Sequence, residues 1–347
     1  MEIMLKLPYL TDNFLGIGGK IRKTLDSFVV EEIPLYEPIG KGEHLYINIT
    51  KEGFTTREIQ EKLAKFFDIS INSVSFAGMK DKNARTTQTF SAHLVKIDEN
   101  LENIAKIENN LPIKVNWVKP HKNKIKIGHL LGNKFTIKIT DLKISQDEAL
   151  ERSKKIIEEI KRHGLPNFFG PQRFGIQGKN IERGLKIIQG SKFNGSKWKK
   201  RLLVSSFQSY LCNLYLFRRI ETGNFKKILK GDIAKKYDTG GLFEVEYLSK
   251  EQKRYENHEI SFTAPIYGSK MWNAKGPSEE LERKVLEEFD LNIEDFHQRG
   301  TRRLGRLLVP SINVKKSSSG LILNFSLPKG AFATIVLREI MKNDLTI

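Results

Sequence analysis

Strand-like segments near the two ends of this chain flank a middle in which helical patterns prevail, and this arrangement limits the possible folds. In residues 45–49 and again in 321–325, every second residue is large and apolar, as expected for strands with one buried face. Within 166–310 helical spacing dominates instead, for example in 200–220 and 278–290. Similar ends around a different middle indicate a sheet domain into which a second domain is inserted.

The predicted fold class is therefore α+β, with one mixed sheet domain interrupted by a largely helical domain. The inserted domain is expected over residues 163–309, because the chain breaks at Gly164 and strand patterns return after Pro310. The sheet domain then consists of residues 1–162 and 310–347. Two domains also suit a chain of 347 residues.

Two helices of the sheet domain carry the sequence signature of a capping box. Thr55 stands three residues before Glu58, and Ser145 stands three residues before Glu148. The first of these helices would place Ile59 and its neighbours at helical spacing on one apolar stripe, and the second is expected to run to about residue 162.

The composition excludes several classes of protein. With 39% hydrophobic and 29% charged residues, the chain is expected to be globular rather than disordered or fibrous. No apolar run reaches the roughly 18 residues that suggest a membrane span, and the first residues lack the pattern of a signal peptide. Cys212 is the only cysteine, which excludes an internal disulfide framework and a thiolate metal cluster. A cytoplasmic protein is expected.

The charge points to a polyanionic partner. The formal net charge is +18, and residues 114–138, 183–220 and 299–338 contain lysine and arginine but no acid. Acids collect instead in 146–160 and 277–290. Such segregation creates basic faces, and nucleic acid gains affinity from them because phosphate neutralisation releases counterions. The competing interpretation is a lysine-rich composition without a specific partner.

The densest group of reactive side chains lies in residues 76–88, where a glycine permits a tight turn after a short apolar strand. Asp81 follows this turn, with Lys80 and Lys82 on either side and Arg85 one turn away. Positive neighbours favour the ionised form of a carboxylate, so Asp81 could act as a nucleophile or a base. Considered alone, such a segment is more often a solvated charged loop.

Two further segments combine aromatic with basic or amide side chains. Residues 166–175 alternate three phenylalanines with Asn, Gln and Arg, which can stack on bases and donate to phosphates, or can form a buried aromatic turn. Residues 124–135 form a basic strand, a turn and a strand that ends at Phe135. Here the alternative is a surface hairpin with Phe135 in the core.

Common cofactor and metal motifs are missing from the sequence. Residues 170–175 have the glycine spacing of a P-loop, but Ile176 and Gln177 stand where Lys and Ser or Thr are required. The seven histidines show no metal-ligand spacing. Any chemistry is therefore expected to use ordinary side chains, with no cofactor and no metal.

Taken together, these segments resemble the TruD family of pseudouridine synthases. The family string Gly-x-Lys-Asp-x-x-Ala-x-Thr-x-Gln is satisfied at every fixed position from Gly78 to Gln88. The matching blocks follow the family's order along nearly the whole chain: 22–28, 30–32, 42–44, 78–88, 132–135, 167–175, 205–211 and 327–334. Several ordered blocks are much more specific than any one of them.

The resemblance implies a pseudouridine-synthase-like sheet that is mixed and mainly antiparallel, with an inserted, largely helical α/β domain. It also implies an isomerase (an intramolecular transferase) that converts uridine to pseudouridine in tRNA, typically at position 13, without a cofactor. The alternatives are the same chemistry at another tRNA position or on another RNA, and a non-catalytic protein that binds and folds tRNA. A monomer with tRNA as its partner is expected.

The resemblance also implies roles for individual residues. Asp81 would be the catalytic aspartate, Phe135 would stack on the target base, and Asn133 would hold the neighbouring loop. The basic partner of the aspartate falls at Arg22, although the proline that the family usually has shortly after it is replaced in 24–28. Lys80 would support the active site. The residues expected to bind RNA are Lys82, Arg85, Gln88, Lys124, Lys126, Asn167, Gln172, Arg173 and Phe174.

Overall fold

Packing divides the chain into two compact units. The computed structural model describes residues 6–21, 24–94, 107–108 and 111–343. A sheet unit consists of Ile17–Ile157 and Pro310–Gly330, and a helical unit consists of Glu158–Val309 with the described parts of the chain ends, 6–16 and 331–343.

Strands and helices alternate in the first half of the chain, and helices dominate the middle. The described strands are β1 Phe28–Pro34, β2 His44–Glu52, β3 Val74–Phe76, β4 Arg85–His93, β5 Ile113–His121, β6 Leu130–Ile139, β7 Leu165–Pro166, β8 Ile233–Lys236, β9 Leu242–Glu244, β10 Ile260–Ile266, β11 Thr301–Leu304, β12 Arg306–Leu307, β13 Asn313–Ser317 and β14 Gly320–Pro328. The described helices are α1 Thr56–Phe66, α2 Gln146–His163, α3 Lys179–Ile188, α4 Lys197–Glu221, α5 Leu248–Glu256, α6 Gly276–Glu287 and α7 Ala333–Met341.

Within the described residues, the sheet unit contains one sheet of eight strands. Their order is β13-β14-β6-β1-β4-β2-β5, and β3 pairs with β4 beside this path. Strands β1 and β4 run parallel, whereas the other pairs are antiparallel. The expected mixed and mainly antiparallel sheet is therefore confirmed.

Helix α1 begins where the sequence predicted a capping box. The Thr55 hydroxyl accepts the Glu58 N–H at 3.2 Å, and the Glu58 carboxylate accepts the Thr55 N–H at 2.6 Å. These two bonds satisfy donors that a helix start leaves open. The apolar stripe of α1, including Ile59 and Leu63, packs on the inner residues of β2 and β4. Each fully buried side chain of this size contributes about 1.5–3 kcal/mol.

Helix α2 is also capped as predicted, because the Ser145 hydroxyl accepts the Glu148 N–H at 3.1 Å. The helix ends at Gly164, whose φ of +70° lies in the left-handed region. A Cβ at this position would lie 2.7 Å from Arg306 Cγ and 2.8 Å from the Leu307 carbonyl oxygen. Glycine is therefore required both by the backbone conformation and by the close approach of β12.

The helical unit is built around α4, which is buried along most of its length. It packs against α3, α6 and β10, and β10 lies within a sheet of order β11-β10-β8-β9. The predicted helices at 200–220 and 278–290 are present as α4 and α6. Of the helices in the described residues, none combines the length and the apolar character needed to cross a membrane.

The two ends of the chain pack in the helical unit, whereas the sequence assigned them to the sheet domain. On α7, the fully buried carboxylate of Glu339 accepts both the N–H and the hydroxyl of Thr11 at 2.7 Å. Arg338 donates to the carbonyl oxygens of Leu7 and Pro8. A buried carboxylate requires such donors, which ties the first residues to the last helix. The compact units share with the predicted domains a boundary at 309/310. They have their other boundary at 157/158 rather than 162/163, and they group the chain ends with the helical unit.

A buried ion pair holds α4 to the strand region that follows it. The Arg219 guanidinium donates to both Asp232 oxygens at 2.7 and 3.0 Å, and both side chains are fully buried. Asp232 also accepts the Ser278 hydroxyl at 2.7 Å. The pair therefore links three segments of the helical unit.

We predict that Arg219→Met lowers the free energy of unfolding by about 3–5 kcal/mol, because it leaves the Asp232 carboxylate buried without its partner. Urea denaturation followed by circular dichroism measures the change. Arg218→Met is the matched control: its ion pairs with Glu221 and Glu288 are partly exposed and contribute at most about 1 kcal/mol. Equal losses in the two variants would contradict the prediction.

Candidate active site

The register of the sheet gathers several polar side chains on one face. Asn133 of β6 pairs with Glu32 of β1, and Phe135 stands two residues further along the same face. The β1–β4 and β2–β4 registers place Gln88 and Lys51 on this face as well. Polar side chains thus occupy inward positions of four neighbouring strands.

The loop that carries Asp81, residues 77–84 (hereafter the site loop), is fixed to this face by side chains. Gln88 Nε2 donates to the Gly78 carbonyl at 3.2 Å, and the Lys80 N–H donates to the Thr56 hydroxyl oxygen at 2.8 Å. The Thr56 hydroxyl in turn donates to Gln88 Oε1 at 2.9 Å. The loop is therefore anchored through its backbone rather than solvated as a free charged turn.

Lys51 of β2 adds a further anchor to the site loop. Its side chain is buried, and Nζ donates to the carbonyl oxygens of Phe54 at 2.6 Å and Asp81 at 3.3 Å. Burial lowers the pKa of Lys51 to about 8, an effect opposed by the negative charges of Asp81 and Glu58 and reinforced by the positive charge of Lys80. Lys51 is therefore mostly protonated at neutral pH and loses its proton on the alkaline side.

Lys80 forms an ion pair beneath the loop. Its Nζ lies 2.7 Å from Glu32 Oε2, and the two side chains are only 4% and 3% exposed. Glu32 also accepts the Thr89 N–H at 3.4 Å. Because a buried charge requires a partner, the ion pair holds the side chain of Lys80 against Glu32 of β1.

The other cations near Asp81 in the sequence also have carboxylate partners. Lys82 Nζ lies 3.3 Å from Glu58, and Arg85 binds Glu52, in both cases near the surface. The sequence suggested that these cations surround Asp81. In the structure Lys51, which lies 30 residues earlier, is the lysine that bonds to the backbone of Asp81.

Phe135 is buried, with 7% of its surface exposed. Its ring stacks on Phe325 with 5.2 Å between centroids and meets the edge of Phe28 at 6.5 Å. Nearby, Asn133 Oδ1 is buried and accepts no hydrogen bond from any described residue. A buried acceptor without a donor is rare in proteins and needs an explanation, such as a ligand or water.

Lys124 and Lys126, two other predicted residues of the sheet unit, lie outside this cluster. Arg22 falls outside the described residues. Lys124 and Lys126 are exposed, and Lys124 Nζ donates to the Asn72 carbonyl at 2.6 Å. They form part of the basic surface rather than of the anchored face.

The predicted RNA-binding residues of the helical unit form a cluster of their own. Asn167 is buried, donates to the Leu304 carbonyl at 2.9 Å and accepts from Arg303 at 2.7 Å. Phe174 is buried with its ring edge-on to Tyr210, whereas Gln172 is exposed. The buried members therefore shape the turn, and Gln172 is open to solvent.

Arg173 and Arg303 both approach the ring of Phe169, with guanidinium carbons 5.9 and 4.0 Å from its centroid. Arg173 donates to the hydroxyls of Ser205 and Ser209 on α4. Burial lowers the pKa of Arg173, as it does that of Arg303. Arg303 was missed in the sequence because it lies far downstream of the motif that it completes.

Lys51 and Glu32 were also missed, although the sequence holds a signal for each. Lys51 continues the alternation of Leu45, Ile47 and Ile49, so it occupies an inward position of β2. Glu32 does the same two residues after Val30 in β1. A charged residue at an inward strand position indicates a paired or functional group.

Titratable side chains also meet around Tyr36, where its hydroxyl lies 2.9 Å from His129 Nδ1. The Tyr36 ring stacks on His121 with 5.2 Å between centroids. The contacts within this group are those of ordinary aromatic packing. Among the described residues, no three His, Cys, Asp or Glu side chains are grouped in a way that could hold a metal ion.

Comparison with known proteins identifies the family. The model of tRNA pseudouridine synthase D (TruD) matches residues 4–194 and 196–340. The chain belongs to the TruD family. The resemblance seen in the sequence motifs is thus confirmed, and the blocks that carry it lie within the matched ranges.

Relatives in the TruD family match along nearly their whole length. A tRNA pseudouridine synthase D of Thermus thermophilus is 40% identical over 97% of this chain and 92% of its own. That of Anaeromyxobacter dehalogenans is 34% identical over 98% of both. The crystal structure of a putative TruD from Methanosarcina mazei has a TM-score of 0.77 and 26% identity, and the match covers 98% of this chain and 99% of that one.

We predict that Lys80→Met destabilises this TruD protein by about 3–5 kcal/mol, because Glu32 would keep a buried charge without a partner. Adding Glu32→Gln removes that charge. The loss of stability in the double variant should therefore be smaller than the sum of the losses in the two single variants. Chemical denaturation of the four proteins gives the coupling energy. Lys82→Met, whose pair is exposed, is the control and should cost at most about 1 kcal/mol. Additive losses from the two buried partners would contradict the pairing.

Proposed function

We propose that this protein is a tRNA pseudouridine synthase in which Asp81 is the catalytic residue and uridine 13 of tRNA is the target. Membership in the TruD family supports the reaction class and the tRNA substrate. The observation that carries the assignment of Asp81 is the anchoring of its loop by Lys51, Thr56 and Gln88. Such fixation suits a group that must meet a reacting atom at a defined place.

The proposed reaction breaks the bond between C1′ and N1 of uridine, rotates the uracil and joins C1′ to C5. N1 gains a proton and C5 loses one, so nothing is oxidised. A carboxylate can promote the first step by adding to C1′, which gives a covalent intermediate, or by removing the 2′ proton, which gives a glycal. Both routes assign the carboxylate to Asp81 and remain open.

The target uridine must leave its stack to meet Asp81, which costs a few kcal/mol. In the proposal, Phe135 offers the aromatic surface that receives the base. Asn133 Oδ1, which is buried without a donor among the described residues, would accept a hydrogen bond from the everted nucleoside. The two side chains lie on the sheet face to which the site loop is anchored.

Binding of the rest of the tRNA is assigned to cations outside this face. Lys82, Arg85, Lys124 and Lys126 are exposed on the sheet unit and suit phosphate contacts. In the helical unit, the exposed Gln172 and the half-buried Arg173 would contact RNA, with Asn167 and Phe174 holding their turn. The net charge of +18 supports phosphate-driven association.

We expect Asp81→Ala to reduce pseudouridine formation by at least about 1,000-fold, as removal of a nucleophile or base commonly does. Tritium release from tRNA labelled at C5 of uridine measures the rate, and primer extension after chemical adduct formation maps the position. Affinity for tRNA should stay within about threefold, since the loop backbone is anchored by other side chains.

Asp147→Ala, which removes an exposed carboxylate of α2 paired with Lys316, is the control and should retain activity. If wild-type protein leaves every uridine of candidate tRNAs unchanged, the enzymatic assignment is lost and a tRNA-folding protein becomes the better interpretation. A pseudouridine that depends on Asp81 but lies elsewhere than position 13 would correct the target only.

We also expect the affinity for tRNA to fall at least about tenfold between about 50 and 200 mM salt, because binding releases counterions from several phosphates. Fluorescence anisotropy with labelled tRNA at a series of salt concentrations gives the slope. Replacing both Lys124 and Lys126 by Gln should reduce the magnitude of the slope of log affinity against log salt concentration by about one to two. An affinity that does not depend on salt would speak against a phosphate-driven interface.

A further inference from the structure

Lys51 is an anomaly in the core of the sheet unit. Its side chain is 1% exposed on a strand whose other inward residues are aliphatic. Lysine is almost never fully buried unless it is paired, yet within the described part of the chain Nζ donates to two carbonyl oxygens, those of Phe54 and Asp81, and not to a carboxylate. Because carbonyl dipoles only partly replace hydration, a buried ammonium here requires a negative charge nearby.

The count of buried charges identifies that negative charge. Lys80 and Glu32 neutralise each other at 2.7 Å, which leaves the ammonium of Lys51 as the excess positive charge among the described side chains buried on the anchored face. The anions that act on Lys51 are Asp81, which has the larger effect, and Glu58. Glu58 is held by the Thr55 capping box and by Lys82. Of these two anions, Asp81 is the one whose backbone also accepts a hydrogen bond from Lys51.

The same ammonium fixes the backbone at Asp81. Gln88 holds the loop at Gly78 and Thr56 holds it at Lys80, and the bond from Lys51 to the Asp81 carbonyl is the next anchor along the chain. Without it, the backbone of Asp81 would lose this bond to β2. A shift of about 1 Å in a reacting group can cost about 100-fold in rate.

We infer that Lys51 is a positioning residue for the reaction: in its ionised form it balances the charge of Asp81 and holds the Asp81 backbone in place. The inference rests on the proposed catalytic role of Asp81. Lys51 lies beneath the loop and acts through Asp81, so it is not itself assigned contact with the substrate.

This role has a pH dependence whose sign follows from the groups around Lys51. Burial and the positive charge of Lys80 lower its pKa, Asp81 and Glu58 raise it, and the result is about 8. As the pH rises through that value the folded protein loses the ammonium charge. The rate of the chemical step should therefore fall on the alkaline side, and removal of the Asp81 charge should lower the pKa of Lys51 further.

The first test compares Lys51→Met, Lys51→Arg and wild type by single-turnover tritium release from about pH 6 to pH 9. Lys51→Met should react about 100-fold more slowly at pH 7 while binding tRNA within about twofold of wild type. Lys51→Arg should recover part of the rate and lose the alkaline decline near pH 8, since arginine does not titrate there. Lys65→Met, an exposed lysine of α1, is the control and should behave as wild type.

A rate for Lys51→Met equal to that of wild type, or an unchanged alkaline decline in Lys51→Arg, would overturn the inference. If Lys51→Met fails to fold, the arginine variant and a second measurement decide. The second is the titration of Lys51 by NMR of protein with isotope-labelled lysine, in wild type and in Asp81→Asn.

The lysine titration separates the two proposals because it needs no activity. A lower pKa for Lys51 in Asp81→Asn supports the counter-charge, and an unchanged value overturns it. If wild-type protein releases no tritium, the proposed enzymatic function fails, and the titration still decides whether Lys51 and Asp81 form a charge pair.

Discussion

The ion pair between Lys80 and Glu32 is the interaction on which the rest of the site depends. It buries two charges where β1 meets β4, the parallel pair of the sheet unit. Because the pair is internally neutral, it fixes the direction of the loop without leaving an excess charge. Thr56 and Gln88 then hold the loop backbone, and Lys51 donates to the carbonyl oxygen of Asp81.

Local patterns predicted much of the fold. The alternation in β2 and β14, the capping boxes at Thr55 and Ser145 and the break at Gly164 are properties of short segments, and each is found in the structure. The contact between Thr11 and Glu339 joins residues 328 positions apart. No local pattern contains that information, so the packing of the chain ends could not be predicted.

The candidate site was predicted in part for the same reason. The motif around Asp81 is continuous in sequence and was found, and the TruD resemblance gave it a role. The side chains that anchor it come from other strands and from α1, so their relation to Asp81 exists only after the sheet has formed. The available signal was the presence of charged residues, Lys51 and Glu32, at inward strand positions. Burying a polar side chain among aliphatic neighbours costs free energy.

The stacking of Phe135 on Phe325 has a consequence for biosynthesis. Strand β14 pairs with β6 along eight consecutive residue pairs, and the segment Glu158–Val309 of the helical unit is translated between them. Once β6 has been synthesised, the nascent chain therefore contains the Phe135 ring without its stacking neighbour. The edge of β6 that later pairs with β14 is also open at that stage. The ribosome must add almost all remaining residues before that edge closes, so the sheet face that carries Asn133 and Phe135 is complete only in a nearly finished polypeptide.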